Sequence, residues 1–125
     1  MTLDEFFAGR DEARAIFDRI ATTVETIAAP CGGERPTLRV TRSQVAFRRI
    51  RNAAIVWTPD RAIGPGRSAP LVLTLSFPEP DPSARWKEIT QISPRRFTHH
   101  LELWNADEVD DEVRAWLARA WKAAG

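Results

Sequence analysis

Leu71-Val72-Leu73-Thr74-Leu75-Ser76-Phe77 alternates with a period of two: the leucines and Phe77 point one way, Val72, Thr74 and Ser76 the other. Successive side chains of a strand take opposite faces, so this stretch predicts a strand with one strongly apolar face. Just upstream, residues 60–70 hold two glycines and two prolines and read as a surface loop. Before that loop, Ala54-Ile55-Val56-Trp57 predicts a strand. Val45, Phe47 and Arg49, alternating with Gln44, Ala46 and Arg48, predict a partner joined to it through a turn at Arg51-Asn52. A further short strand fits Leu38 to Thr41.

Downstream, Pro78, Pro80 and Pro82 lack the amide hydrogens that a regular ladder needs. Lys87 to Ile92 and Phe97 to Trp104 bracket Ser93-Pro94-Arg95-Arg96 and predict another hairpin. Its second arm carries Leu101 and Leu103 on one face, with Glu102 and Trp104 on the other.

The period changes at both ends of the chain. Ala13, Ile16, Phe17, Ile20, Val24 and Ile27 recur at three- and four-residue spacing and predict a helix from Asp11 to Ala28, with acids in its first turn. Thr2 and Glu5 have the spacing of a capping box, and Gly9 interrupts the first turns. Pro30 closes the long helix, and residues 31–36 form a connector. Asp110 is an eligible N-cap for a last helix whose stripe is Val113, Trp116, Leu117, Ala120 and Trp121.

Strands joined by short, turn-rich connections pair antiparallel. The expected architecture is therefore α+β, a two-layer arrangement. A sheet of roughly five antiparallel strands carries the amino- and carboxy-terminal helices on one face. The 125 residues suit a single domain with one core.

Eighteen basic and 17 acidic side chains leave a net charge of +1, without the basic excess of a dedicated nucleic-acid binder. Lys87 and Lys122 are the only lysines. So strong a preference for arginine fits anion recognition, but it also fits a GC-rich coding sequence. Cys31 stands alone, so no intramolecular disulfide forms within the sequence, which suits a reducing compartment. The amino terminus carries acids where a signal peptide needs cations, and no stretch is long enough to span a membrane. Cytoplasmic placement is the expectation.

Three stretches carry a resemblance: Ser43-Gln44-Val45-Ala46-Phe47-Arg48-Arg49, then Arg85-Trp86-Lys87-Glu88, then Phe97-Thr98-His99-His100-Leu101-Glu102-Leu103 running into residues 106–113. In pattern and order, from about residue 25 to residue 124, they resemble the bacterial domain-of-unknown-function family numbered 5655. That resemblance implies the same α+β core and transfers no catalytic residue. The closing strand-to-helix segment is also similar to the YdhG-type small bacterial proteins, some of which are labelled iron chaperones.

Few groups are eligible for chemistry. His99 and His100 are adjacent on a strand and face opposite ways, so both cannot hold one ion. Cys31 lacks a histidine base, and Gly32-Gly33 lacks the lysine of a phosphate loop, so the pair is a turn. Arg48, Arg49 and Arg51, with Arg39 and Arg42 upstream, form the sharpest basic cluster. They suit either a carboxylate or phosphate ligand or a charged edge strand protected against aggregation. Trp57, Trp86 and Trp104 sit at strand or loop ends and could border a cleft, or could simply pack. The acids from Asp107 to Glu112 offer oxygen ligands to a hard cation, or complement the dipole of the last helix.

The leading expectation is a non-enzymatic binding or protein-interaction module that takes an anionic ligand on the sheet face left open by the helices. Arg49, Trp57, Lys87 and His99 are its candidate ligand-binding residues. The alternative is a metal or iron carrier using the acidic start of the last helix. No catalytic residue, resident metal or cofactor is expected. The expected partners are a small molecule or a protein, a second copy of this chain included, and neither nucleic acid nor membrane.

Overall fold

In the computed structural model, which describes residues 1–30, 35–59 and 68–125, Leu71–Phe77 lies inside a six-stranded antiparallel sheet. Cys31, the Gly32-Gly33 turn and positions 60–67 of the expected loop lie outside the described residues. In chain order the elements are α1 (Leu3–Phe6), α2 (Asp11–Ala28), β1 (Thr37–Val40), β2 (Val45–Arg48), β3 (Asn52–Trp57), β4 (Leu71–Phe77), β5 (Glu88–Ser93), β6 (Arg96–Leu103) and α3 (Asp111–Ala123). A short 3-10 turn, Ala106–Glu108, precedes α3.

The strands are ordered β1-β2-β3-β4-β6-β5. The count is six rather than about five, because Thr37–Val40 pairs with β2 as a full edge strand. β4 pairs with β3 on one side and β6 on the other. That central place explains why Val72 and Thr74 are buried as well as the leucines.

Both helix stripes pack on one face of the sheet. Ile16, Phe17 and Ile20 of α2 and Val113, Leu117 and Trp121 of α3 share a core with Val45, Phe47, Val56, Leu71, Leu73, Leu75, Leu101 and Leu103. The rings of Phe17 and Phe47 stack with centroids 5.5 Å apart. The helix ends follow their sequence signals. Thr2 and Glu5 form a reciprocal capping box, and the Asp110 carboxylate accepts from the Val113 amide. Gly9 turns the chain between α1 and α2 at φ 72°, a left-handed conformation that a side chain would strain.

The swapped order of β5 and β6 has a consequence for the segment between β4 and β5. These two strands run in the same direction with β6 between them, so residues 78–87 must climb the length of the sheet. They do so on the helical side. The Trp86 ring packs 4.1 Å from that of Trp116 on α3 and 4.9 Å from that of His99 on β6.

This connection also supplies a partner for two acids of the cluster. The Arg85 guanidinium donates to Asp110 and Glu112, while Arg114 pairs with Asp111. These acids thus have partners within the chain in addition to the helix dipole.

Candidate functional site

The β2–β3 turn, the end of β4, the β5–β6 turn and the carboxy-terminal end of α3 all lie at one end of the sheet, because the strands alternate in direction. A cleft of about 640 Å3 opens between the two turns. Arg48, Arg51 and Asn52 line it from one turn, and Ser93, Arg95 and Arg96 from the other. The end of β4 contributes Ser76, Phe77 and Pro78, and α3 supplies a wall of Ala120, Ala123 and Ala124. Among the described residues, no acidic side chain lines it.

Local structure holds these arginines. β2 and β3 shift register after Phe47, so Arg48 pairs with Asn52 and its Nη1 donates to the Asn52 carboxamide oxygen at 2.8 Å. The turn is docked on α3: the Ile50 and Arg51 amides both donate to the Ala124 carbonyl, at 3.2 and 3.0 Å. A carbonyl that the helix leaves unpaired is thereby satisfied, and its partial negative charge is screened from the cleft. Across the cleft, β5 and β6 shift register between Gln91 and Ser93, and Arg95 and Arg96 follow at once in the turn and in β6. Among the described residues, the guanidinium groups of Arg51, Arg95 and Arg96 make no hydrogen bond or ion pair. The cleft therefore presents forked cationic donors beside the Ser76 and Ser93 hydroxyls, a combination suited to phosphate or carboxylate oxygens.

The four residues singled out from the sequence are not brought together. Arg49 falls in the β2–β3 turn, beyond the last residue of β2, and turns to the helical side. Its guanidinium lies 5.3 Å from the centre of the Trp121 ring, and Nη1 donates to the Trp121 carbonyl at 3.2 Å.

His99 also faces the helices rather than the uncovered face, fully buried in the row of Leu101 and Leu103. Its Nδ1–H donates to the Phe97 carbonyl and its Nε2 accepts the Asp81 amide hydrogen, so the ring is neutral. Burial pushes its pKa below the ordinary 6.5, against the opposing pull of the Phe97 carbonyl and the Asp81 carboxylate.

Trp57 and Lys87 do sit toward the face away from the helices. There Trp57 Nε1–H donates to Thr74 Oγ1 at 3.1 Å, and that hydroxyl is 2.8 Å from His100 Nδ1. Lys87 Nζ pairs with Glu102 at 3.2 Å. Trp86, a candidate for a cleft border, is buried against Trp116 instead, because its loop crosses on the helical side.

Among the described residues, no group of three or more histidines, cysteines, aspartates or glutamates is arranged to hold a metal ion. No helix of the described residues is long and apolar enough to cross a membrane.

From sequence, Arg48 and Arg51 stand out within a basic cluster, whereas Arg95 and Arg96 read only as turn residues. The available signal was that both predicted hairpin turns carry paired arginines. What joins them is the strand order, which brings the end of β4 between the two turns.

Comparison with known proteins agrees with the resemblance drawn from the three stretches. No curated protein and no solved structure matches the chain. A family model described as a domain of unknown function, DUF5655, matches residues 3–124, nearly the whole of the sequence. The chain belongs to the DUF5655 family.

Proposed function

We propose that this domain is a non-enzymatic binding module and that its ligand is an anion held in the arginine cleft at the end of the sheet. The observation that supports the reading is the convergence of Arg48, Arg51, Arg95 and Arg96 on one cleft that, among the described residues, has no acidic side chain in its lining. Like charges gathered without counter-charges repel one another, and a ligand bearing two or more negative charges relieves that repulsion. The volume suits a small phosphorylated or polycarboxylate molecule. Cytoplasmic placement belongs to the same proposal and rests on the lone cysteine.

Titration calorimetry with inorganic pyrophosphate and with citrate tests it. Saturable binding is expected for at least one of them. Arg51→Ala and Arg95→Ala should each weaken it by about tenfold, the cost of one charge-assisted hydrogen bond to an anion. Arg39→Ala, on edge strand β1 and outside the cleft, should leave it unchanged. No binding of either anion at millimolar concentration, or equal losses from Arg39→Ala and Arg51→Ala, overturns the reading.

A further inference from the structure

The two turns that border the cleft share more than arginine. Each carries an exposed isoleucine beside its cations: Ile50 within Arg48-Arg49-Ile50-Arg51, and Ile92 within Ile92-Ser93-Pro94-Arg95-Arg96. Ile50 is 70% exposed and Ile92 is 55% exposed, in a protein whose other isoleucines among the described residues are buried or half-buried. Neither position is a loose end. The Ile50 amide is anchored on the Ala124 carbonyl, and Ile92 occupies the register shift between Gln91 and Ser93 at the end of β5. The backbone thus holds an aliphatic side chain in water at each of two tips, both at the end of the sheet where the cleft opens.

Two exposed aliphatic side chains with arginines close by in sequence make a poor anchor for a folded protein partner. Such anchors are mostly aromatic and fill pockets. The same arrangement fits a surface that is anionic outside and hydrocarbon within, because cations meet the headgroups while the tips enter the apolar layer beneath. We infer that this end of the sheet docks on anionic lipid membranes, with the cleft taking a phosphate-bearing headgroup and Ile50 and Ile92 dipping into the interface. The inference rests on the anion-binding reading of the cleft and names the source of the anion. It revises the expectation that no membrane is involved, which followed from the lack of a spanning stretch; a peripheral contact needs none.

The test is co-sedimentation of the purified full chain with vesicles of phosphatidylcholine alone and of phosphatidylcholine containing a phosphoinositide. Pyrophosphate titration is run in parallel. The chain should pellet with the phosphoinositide vesicles and not with phosphatidylcholine. The double variant Ile50→Ser, Ile92→Ser should lose vesicle affinity by at least about tenfold, since it removes two insertable side chains. It should keep its pyrophosphate affinity within about twofold and its melting temperature, because both side chains are exposed.

Pyrophosphate binding without vesicle binding overturns the membrane inference and leaves the cleft reading standing. Loss of both removes both. Vesicle binding that ignores the isoleucine changes overturns the docking geometry. Isoleucine-dependent binding of an acidic phosphopeptide, with none to vesicles, overturns the membrane as occupant.

Discussion

His99 and Asp81 are both held by several hydrogen bonds. The imidazole is fixed from both sides, by the Phe97 carbonyl and the Asp81 amide, and packed edge-on against Phe77 and Trp86. The Asp81 carboxylate accepts from Trp86 Nε1–H, the Ser83 amide and Arg119. Burial raises the pKa of Asp81, but these three donors outweigh it and hold the carboxyl below the ordinary 3.8.

Because the folded state disfavours protonated His99, the unfolded chain binds more protons below about pH 6.5, and stability must fall as the pH drops from there. The Asp81 contribution is present above pH 3.8 and is lost as the pH falls through its lower folded value. Urea unfolding from about pH 7 to about pH 5 checks the first of these. His99→Phe should cost about 2–4 kcal/mol at neutral pH, by stranding a buried amide and carbonyl, and should flatten the pH dependence in that window. A slope unchanged by the substitution would assign the titration to another group.

At the scale of elements, α3 is held by its ends as well as by its buried stripe. Its amino end uses Asp110 twice, as the cap for the Val113 amide and as a partner of Arg85 from the 78–87 connection. Burial raises the Asp110 pKa, but the Val113 amide and Arg85 lower it further, so the net direction is down from 3.8. Its stabilisation is present above that value and is lost as the pH falls through the folded one. Asp110→Ala should destabilise by about 1–2 kcal/mol, whereas Asp110→Asn keeps a capping oxygen and should lose about 0.5 kcal/mol, the worth of a partly exposed ion pair. Thermal melts of the two variants separate cap from pair, and equal losses would show that the pair dominates.

The helix ends were legible from sequence, whereas most strand ends lie one or two residues from where alternation puts them. Periodicity and end signals set α2 at Asp11–Ala28 and the cap of α3 at Asp110, because both depend on residues a few positions apart. The end of β2 was harder to see. Arg49 continues the alternation of Val45 and Phe47 but lies in the turn, because the register shift after Phe47 and the hold of Ala124 on Ile50 and Arg51 end the strand one residue earlier.

At the scale of the molecule, β4 joins the two sides of the sheet and α3 covers its centre, so the structure should unfold as one unit. Leu73→Ala removes a fully buried side chain at that centre and should cost about 2–5 kcal/mol, with far-ultraviolet dichroism and tryptophan fluorescence moving at a single shared midpoint. The net charge of +1 conceals a separation. Acids gather where α3 begins, and arginines gather where it ends. Affinity of the cleft for pyrophosphate should therefore fall as salt rises, by screening of exposed charge, and isotherms at low and high salt would read it.

The sequence by itself determined the α+β class, the helices, the strand alternation and the family, since each rests on local spacing or on residues read in order. Which residues meet was decided by tertiary structure. Parity along β6 put His99 in the row of Leu101 and Leu103, but only the packing of both helices on that row buried it. The arginines of two turns became one cleft because β6 inserts between β4 and β5, leaving the end of β4 between those turns. Strand order is a long-range choice made by the whole core, and no spacing within either turn encodes it.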